Sequence, residues 1–253
     1  MGLWTPEHAK TLIPAIGVMA VLAWLFRRLL GKKELKTRML PLQVIACLLV
    51  LLEIGKQGVS LYRGYDLYHL PFHFCSLFIF ALPIMAFYRG KHLHGVYEVV
   101  SSLCASLFLL MLIYPNLIYS AWDIENYFRD YMAFHTVTFH NLVMLATVLI
   151  LALDIRAGKG SACKAILIAT GLFCAVSATM AQLLKTNYAN FYSCNIPAFE
   201  ALRTGLQGLI GPVLTQLLYV AVVALLTVLF VLMAYGLVRL ARKMFSLREK
   251  QTV

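Results

Sequence analysis

Seven apolar segments of membrane-spanning length follow one another along this chain. They cover roughly residues 11–30, 40–60, 71–88, 96–114, 131–153, 162–185 and 212–238. A helix needs about 20 mostly apolar residues to cross the hydrocarbon core of a bilayer. The sequence therefore predicts an all-α fold, a polytopic membrane helix bundle with about seven transmembrane helices. It contains no internal repeat, so residues 1–253 are expected to form a single transmembrane domain.

The composition agrees with a membrane protein and not with a soluble one. Hydrophobic residues make up 61% of the chain and charged residues 13%, whereas a soluble domain has about 45–50% and about 25%. The net charge of +11 would suit a nucleic-acid partner. However, the basic residues lie in short loops beside apolar segments, and the sequence contains no nucleic-acid-binding module. We expect membrane lipids, and no nucleic acid, as partners; the sequence does not indicate an oligomeric state.

The distribution of lysine and arginine predicts the orientation. The loops after segments 1, 3 and 5, together with the C-terminal tail, hold 16 of the 22 basic residues. Positive residues concentrate on the cytoplasmic side of membrane proteins, which predicts the N-terminus outside and the C-terminus in the cytoplasm. The first segment is not expected to be a cleaved signal peptide, because its basic cluster follows the apolar run. We expect a multi-pass protein of the plasma membrane.

Polar residues gather at one end of four predicted helices. Segments 2 and 6 end, and segments 3 and 5 begin, on the outer side with groups that are rare and costly in lipid. These residues are Glu53, Gln57, His73, Cys75, His135, His140, Asn187 and Tyr188. The shared depth predicts a polar cavity that opens toward the extracytoplasmic side. The competing interpretation is that polar side chains near helix ends simply reach the interface.

Helical geometry restricts how these groups can meet. If the helix begins near Pro71, which suits a first turn, His73 and Cys75 lie about 200° apart around it. A nucleophile and its base would then come from different helices, with Cys75 meeting His135 or His140. The thiolate is the attacking form of cysteine, and a neighbouring imidazole promotes it. Alternatively, Cys75 is a packing residue and a histidine acts alone as general base.

Metal and cofactor binding are not predicted. Among the histidines only His69 and His73 have the i, i+4 spacing of a ligand pair, and no His-Glu-x-x-His motif is present. The six cysteines show neither a disulfide framework nor a paired Cys-x-x-Cys spacing. Most of them are expected to pack as small apolar residues.

Two of the connections between segments have a composition that predicts local structure. Residues 187–211 form the longest non-apolar connection and contain a turn-rich run from Asn190 to Pro197. This run suits either a lid or re-entrant loop or an ordinary interfacial loop. Residues 122–131 mix aromatic and charged side chains, which are typical of a membrane interface. A short surface helix is expected there.

Four short motifs, taken in order, resemble one family. Leu70-Pro-Phe-His-Phe-Cys75 resembles its L-P-x-H-x-C signature, and Phe134 to His140 resembles the start of a later helix. Lys185-Thr-Asn-Tyr188 is similar to its G-T-N-Y segment, with lysine where glycine is usual, and Gly211-Pro212 opens the last helix. Over roughly residues 40–238 the chain resembles the YwaF-like integral membrane proteins, which are related to transmembrane protein 164 of animals.

The resemblance implies a cysteine-dependent acyltransferase that acts on glycerophospholipids. Carried over by position, Cys75 would be the nucleophile and His140 the base, although His135 also lies near the expected site. The supporting residues would be His73, Glu53, Gln57, His135, Asn187 and Tyr188. A lipid acyl hydrolase with the same site is one alternative. Others are a small-solute transporter or ligand-binding protein that uses the same cavity, and an accessory protein whose polar cluster only fixes helix packing.

Overall fold

Six helices are long and apolar enough to cross a membrane. The computed structural model describes residues 3–156, 158 and 160–251, with side chains as far as Met244. This part of the chain contains α-helices and short turns but no β-strand. In chain order its α-helices are α1 (Pro6–Leu30), α2 (Leu35–Arg38), α3 (Leu40–Tyr62), α4 (Phe78–Phe87), α5 (Leu93–Ile113), α6 (Ala121–Glu125), α7 (Tyr131–Ala152), α8 (Cys163–Leu184), α9 (Pro197–Ile210) and α10 (Pro212–Gln251).

The six long helices and the shorter α4 between α3 and α5 alternate in direction along the chain, as the charge pattern predicts. We call the end of the bundle where α1 and α7 end and where α3, α5 and α8 begin the basic end, because most of the basic loops lie there. Lys159, counted among these basic residues, lies outside the described residues, and the side chains of Arg248 and Lys250 are not described either. Large apolar side chains such as Val21, Leu51 and Leu225 face outward. The chain is thus a multi-pass, all-helical membrane protein.

The predicted third span is much shorter than the other six. α4 has ten residues, or about 15 Å, and only the single turn Cys75–Leu77 extends it toward its N-terminus. A helix that begins near Pro71 is therefore wrong, because residues 70–74 are irregular. Distant side chains bind this backbone in place of helical partners: Ser177 donates to the Phe72 carbonyl over 2.8 Å. The predicted angle of about 200° between His73 and Cys75 is also wrong, because it assumed that both residues belong to one helix.

α5 forms the centre of the bundle. Its middle is buried on all sides and is rich in small residues, which allow neighbouring helices to approach closely. Its serine hydroxyls donate back to the carbonyls one turn earlier, as Ser102 does to Glu98 and Ser106 does to Ser102. These bonds satisfy the buried hydroxyls inside the helix itself.

Both non-apolar connections contain helices. The expected short helix between residues 122 and 131 is confirmed as α6, which has a capping box at Ser120 and Asp123. The longest connection contains α9, an amphipathic helix whose Phe199, Leu202 and Leu209 are exposed. An amphipathic helix with exposed apolar residues is suited to lie along the membrane surface.

Candidate active site

A cavity of about 230 Å³ lies between the segment that precedes α4 and helices α5, α7, α8 and α10. Four of the eight residues singled out in the sequence line it: His73, Cys75, His140 and Asn187. They come from three separate parts of the chain. The structure therefore brings a cysteine and two histidines to one space, although they share no helix.

The His140 imidazole is held in one tautomer. Its Nδ1 lies 2.6 Å from the Thr136 carbonyl oxygen, one turn earlier on α7. A carbonyl only accepts hydrogen bonds, so Nδ1 carries the proton and Nε2 keeps its lone pair. The bond through Nδ1 is the hydrogen bond that this ring makes with the described residues. His140 is 5% exposed and lines the cavity with an unused acceptor on its ring.

The His73 imidazole is held in place by Tyr68 and Tyr188. Its Nε2–H donates to the Tyr68 carbonyl over 3.0 Å, and the ring packs edge-on against Tyr68 and Tyr188 at centroid distances of 4.4 and 5.3 Å. Burial lowers the pKa of His73, which keeps the imidazole neutral at pH 7. Its remaining Nδ1 is an acceptor and not a donor.

Cys75 opens the single turn before α4, where the chain leaves its irregular stretch. Its thiol is free and partly buried. The neighbouring Phe74 packs edge-on against Phe78 and Phe173, which anchors this turn to α4 and α8. Cys75 and His140 therefore line one cavity from two different helical elements.

Glu53, Gln57 and His135 form a separate polar cluster with Lys56, and none of the four lines the cavity. Glu53 Oε1 accepts from Lys56 Nζ at 2.8 Å and from Gln57 Nε2 at 2.7 Å, and His135 Nε2 lies 3.3 Å from Glu53 Oε2. The expectation of one cavity that collects all the polar residues is wrong in this respect. The cluster couples α3 to α7, and Gln57 also donates to the His69 carbonyl over 2.9 Å.

Asn187 shapes the loop that covers the cavity. Its Oδ1 accepts from the backbone N–H groups of Tyr192 and Ser193, and its Nδ2 donates to Asn195 over 3.1 Å. This loop follows Lys185, which ends α8 in the left-handed region at φ +51°. Glycine is the residue that adopts this conformation most easily. Position 185 therefore suits a glycine better than the lysine that this chain carries.

Tyr188 does not line the cavity. It is fully buried, and its hydroxyl donates to the Leu67 carbonyl. That proton is therefore engaged, and a role for the Tyr188 hydroxyl in direct stabilisation of an oxyanion does not fit the geometry. Tyr188 supports the segment before α4 instead.

Sequence reasoning missed several polar residues of the cavity. Tyr68, Asn190, Asn195 and Thr227 all line it. Asn190 adopts φ +63°, and its buried Oδ1 has no hydrogen-bond partner among the described residues. The two asparagines fall within the turn-rich run already noted in the sequence. Thr227 carried a weaker signal, because it is one of several hydroxyl residues within a long apolar helix.

The described residues around the cavity do not form a recognisable metal site. Within the described ranges, no group of three or more histidine, cysteine, aspartate or glutamate residues is placed to hold a metal ion. What the cavity offers is a thiol, an acceptor imidazole and amide groups between apolar walls.

Fold and cavity together define a class: a multi-pass helical membrane protein with a cysteine and a histidine facing one buried space. The sequence profile of the TMEM164 family matches residues 3–235, and the chain belongs to this family. The match confirms the resemblance that the four short motifs indicated. No curated protein and no solved structure matches the chain.

Proposed function

We propose that the protein is a lipid-active acyltransferase in which Cys75 carries the acyl group and His140 is the general base. The observation that carries the proposal is that both residues line one cavity while the tautomer of His140 leaves Nε2 free to accept a proton. A nucleophile and base within reach of one space are the basis of covalent acyl transfer. The activity implied by the family resemblance requires the same two groups.

The reaction proceeds in two half-steps. His140 Nε2 takes the proton of the Cys75 thiol, and the thiolate attacks the ester carbonyl carbon of a glycerophospholipid. The ester C–O bond breaks, the imidazolium returns the proton to the departing alcohol, and a thioester remains on Cys75. An acceptor hydroxyl then gives its proton to His140 and attacks the thioester, which releases the product ester and the thiol.

The walls of the cavity suit an acyl substrate. Leu107, Leu110, Phe173 and Phe230 contribute apolar surface beside the thiol, which favours a hydrocarbon chain. Asn187 and Tyr68 contribute polar groups to the same lining. An amide N–H or a phenol is able to donate to the oxygen on which negative charge develops. We assign this role to Asn187 and Tyr68 in place of Tyr188.

The membrane context supports a lipid substrate. The segment that carries Cys75 lies among helices of membrane-spanning length, so a phospholipid can approach without entering water. The charge asymmetry supports an extracytoplasmic orientation of the site, in the plasma membrane. This orientation is tested by cysteine substitution of Tyr62, which is 92% exposed, and of Lys33. With the native cysteines replaced by alanine in both variants, a membrane-impermeant maleimide should label only the Tyr62 variant in intact cells.

The decisive experiment follows the acyl group. Protein in lipid nanodiscs receives a phospholipid with an alkyne-tagged acyl chain, and the hydroxylamine-sensitive adduct is located by mass spectrometry. We expect the tag on Cys75 in the wild type and no tag in Cys75→Ala. Cys104→Ala, which removes a buried thiol of α5 outside the cavity, serves as the matched control and should retain the adduct.

The acceptor separates transfer from hydrolysis. Added lysophospholipid should take up the tagged chain from the loaded protein, whereas release of only free fatty acid would identify the acyl hydrolase. Full acyl transfer by Cys75→Ala would contradict the proposal for either activity.

A further inference from the structure

We propose that the basic end of the bundle holds a second lipid site, which binds one anionic glycerophospholipid with its headgroup in a basic pocket and a chain in the adjoining apolar groove. This site does not depend on the function proposed for Cys75. It shares no lining residue with the cysteine cavity, and it lies at the other end of α7 and α10.

The basic pocket has a volume of about 220 Å³ and lies where α1, α7 and α10 meet the short helix α2. Its lining contains five cationic residues and one carboxylate, that of Asp154. The cations are Arg27, Lys32, Arg38, Arg156 and Arg242. Asp154 pairs with Arg156 at 2.9 Å and Glu98, which lies outside the lining, pairs with Arg242, so these two carboxylates do not balance all five cations. Such an excess of positive charge favours an anion.

Arg38 is held in place without being neutralised. Its Nη1 donates to the Leu153 carbonyl over 2.7 Å and to the Asp154 carbonyl over 3.2 Å. These acceptors are uncharged, and no described carboxylate pairs with Arg38. Its Nε also has no hydrogen-bond partner among the described residues. A guanidinium fixed by backbone carbonyls remains a full positive charge in the pocket wall.

Arg242 is anchored in a comparable way, although with one acidic partner. It pairs with Glu98 of α5, and its Nη2 donates to Ser101 Oγ and to the Ile155 carbonyl, both at 3.1 Å. Its side chain is 8% exposed. Two of the pocket's cations, Arg38 and Arg242, are therefore held in fixed positions by hydrogen bonds to the bundle. They differ in this respect from exposed lysines, whose side chains are free to move.

An apolar groove of about 530 Å³ continues from this pocket along α1, α5, α7 and α10. Arg27, Leu151 and Ala152 line both spaces. Small residues such as Ala20, Ala23 and Ala105 form much of the groove, which leaves width for a hydrocarbon chain. A soluble anion would occupy the pocket alone. A pocket joined to a groove matches a phosphate attached to an acyl chain, and basic pockets between helices bind anionic lipid headgroups in this way.

Trp24 provides a probe, because it lies on the groove wall. Trp4→Phe and Trp122→Phe would leave it as the only tryptophan of the chain. In phosphatidylcholine nanodiscs, phosphatidylglycerol with brominated chains should quench Trp24 at a mole fraction about tenfold lower than brominated phosphatidylcholine. Equal quenching by the two lipids would overturn the proposal.

Two matched double variants test the pocket. Lys32→Gln with Arg156→Gln removes two exposed charges from the lining, and it should raise the phosphatidylglycerol fraction needed for half-quenching about tenfold or more. Lys33→Gln with Lys36→Gln removes the same charge from exposed residues outside the lining and should leave it unchanged. Equal effects of the two double variants would reveal general surface attraction and contradict a site.

A substitution where the basic pocket joins the apolar groove distinguishes a bound lipid from a soluble anion. Ala152→Phe narrows the passage between pocket and groove, and it should weaken the selective quenching while the protein remains monodisperse. If millimolar inorganic phosphate displaced the brominated lipid from the wild type and Ala152→Phe had no effect, the pocket would be a soluble-anion site, and the proposal would fail.

Discussion

Gly55 of α3 packs directly against the hydroxyl of Tyr131, the first residue of α7. A Cβ at position 55 would lie 2.0 Å from the Tyr131 hydroxyl oxygen, and that hydroxyl donates to the Leu52 carbonyl over 3.1 Å. The missing side chain thus sets how closely α3 and α7 approach. This approach in turn brings His135 of α7 opposite Glu53 of α3.

Gly55→Ala is therefore expected to destabilise the protein by about 1–3 kcal/mol, because Tyr131 must move and give up its hydrogen bond. Gly58→Ala is the control, since a Cβ there meets no atom within 4 Å. Replacing that helical glycine should be neutral or stabilising by up to about 1 kcal/mol. Unfolding midpoints in detergent compare the two, and equal midpoints would contradict the close contact.

His140→Gln and His135→Gln should have different effects. Loss of a general base typically lowers a rate about 10²–10⁴-fold, so His140→Gln should slow formation of the Cys75 thioester by such a factor at unchanged protein stability. His135→Gln removes the neighbour of the Glu53 carboxylate and should mainly lower the unfolding midpoint. Thioester formation measured per folded molecule separates these effects. A rate loss confined to His135→Gln would instead identify His135 as the base.

Lys185→Gly should stabilise the protein, which is unusual for a glycine substitution. A non-glycine residue in the left-handed region costs about 1 kcal/mol, and Lys185 pays that cost at the end of α8. The same change at Lys164, an exposed residue in the first turn of α8, should destabilise by up to about 1 kcal/mol because glycine is a poor helix former. Thermal unfolding of both variants should give shifts of opposite sign.

The contact between α9 and the loop that precedes it should weaken at low pH. Glu200 accepts from the Cys194 N–H over 2.9 Å and from Arg203 Nε over 2.8 Å, and the hydrogen bonds from Arg203 hold the pKa of Glu200 below its usual value of 4.5. A carboxylate whose folded-state pKa is lowered contributes its full stabilisation above the unfolded pKa, and this is lost as the pH falls through the folded pKa.

The unfolding midpoint of Glu200→Gln should consequently lie below that of the wild type at pH 7, and the gap should close as the pH is lowered below about 4.5. Glu125→Gln, a change at an exposed carboxylate of α6, should show a smaller gap at every pH. A gap for Glu200→Gln that persists unchanged at pH 3 would argue against the ion pair.

Hydropathy and charge were sufficient for most of the fold. The six long spans, the alternation in direction that includes the shorter α4, and the short helix α6 follow from the lengths of the apolar runs and from the residues between them. The family could also be predicted from the sequence, because its short motifs recur in order. The start of α4 could not be predicted. The bonds that keep residues 70–74 irregular come from residues as distant as Ser177, and no local pattern encodes them.

The division between the cavity and the Glu53 cluster was also beyond the sequence. Topology predicts the depth of a residue in the membrane, and the contact between Glu53 and His135 agrees with the common depth expected for these two residues. The rotation of each helix about its axis depends on packing, such as the contact between Gly55 and Tyr131. As a result His135 turns toward α3 and His140 toward the cavity, although both belong to α7.

The shortness of α4 also determines when the site can come into existence. An inserted transmembrane helix satisfies its own backbone, but residues 63–74 depend on Gln57, Ser177 and Tyr188 from elsewhere in the chain. Until α3 and α8 have docked, these hydrogen bonds are missing and the cavity that Cys75 and His140 line is incomplete. Insertion into the bilayer and formation of this cavity are therefore separate events. Under the proposed function, a newly inserted chain transfers no acyl group until its helices have assembled.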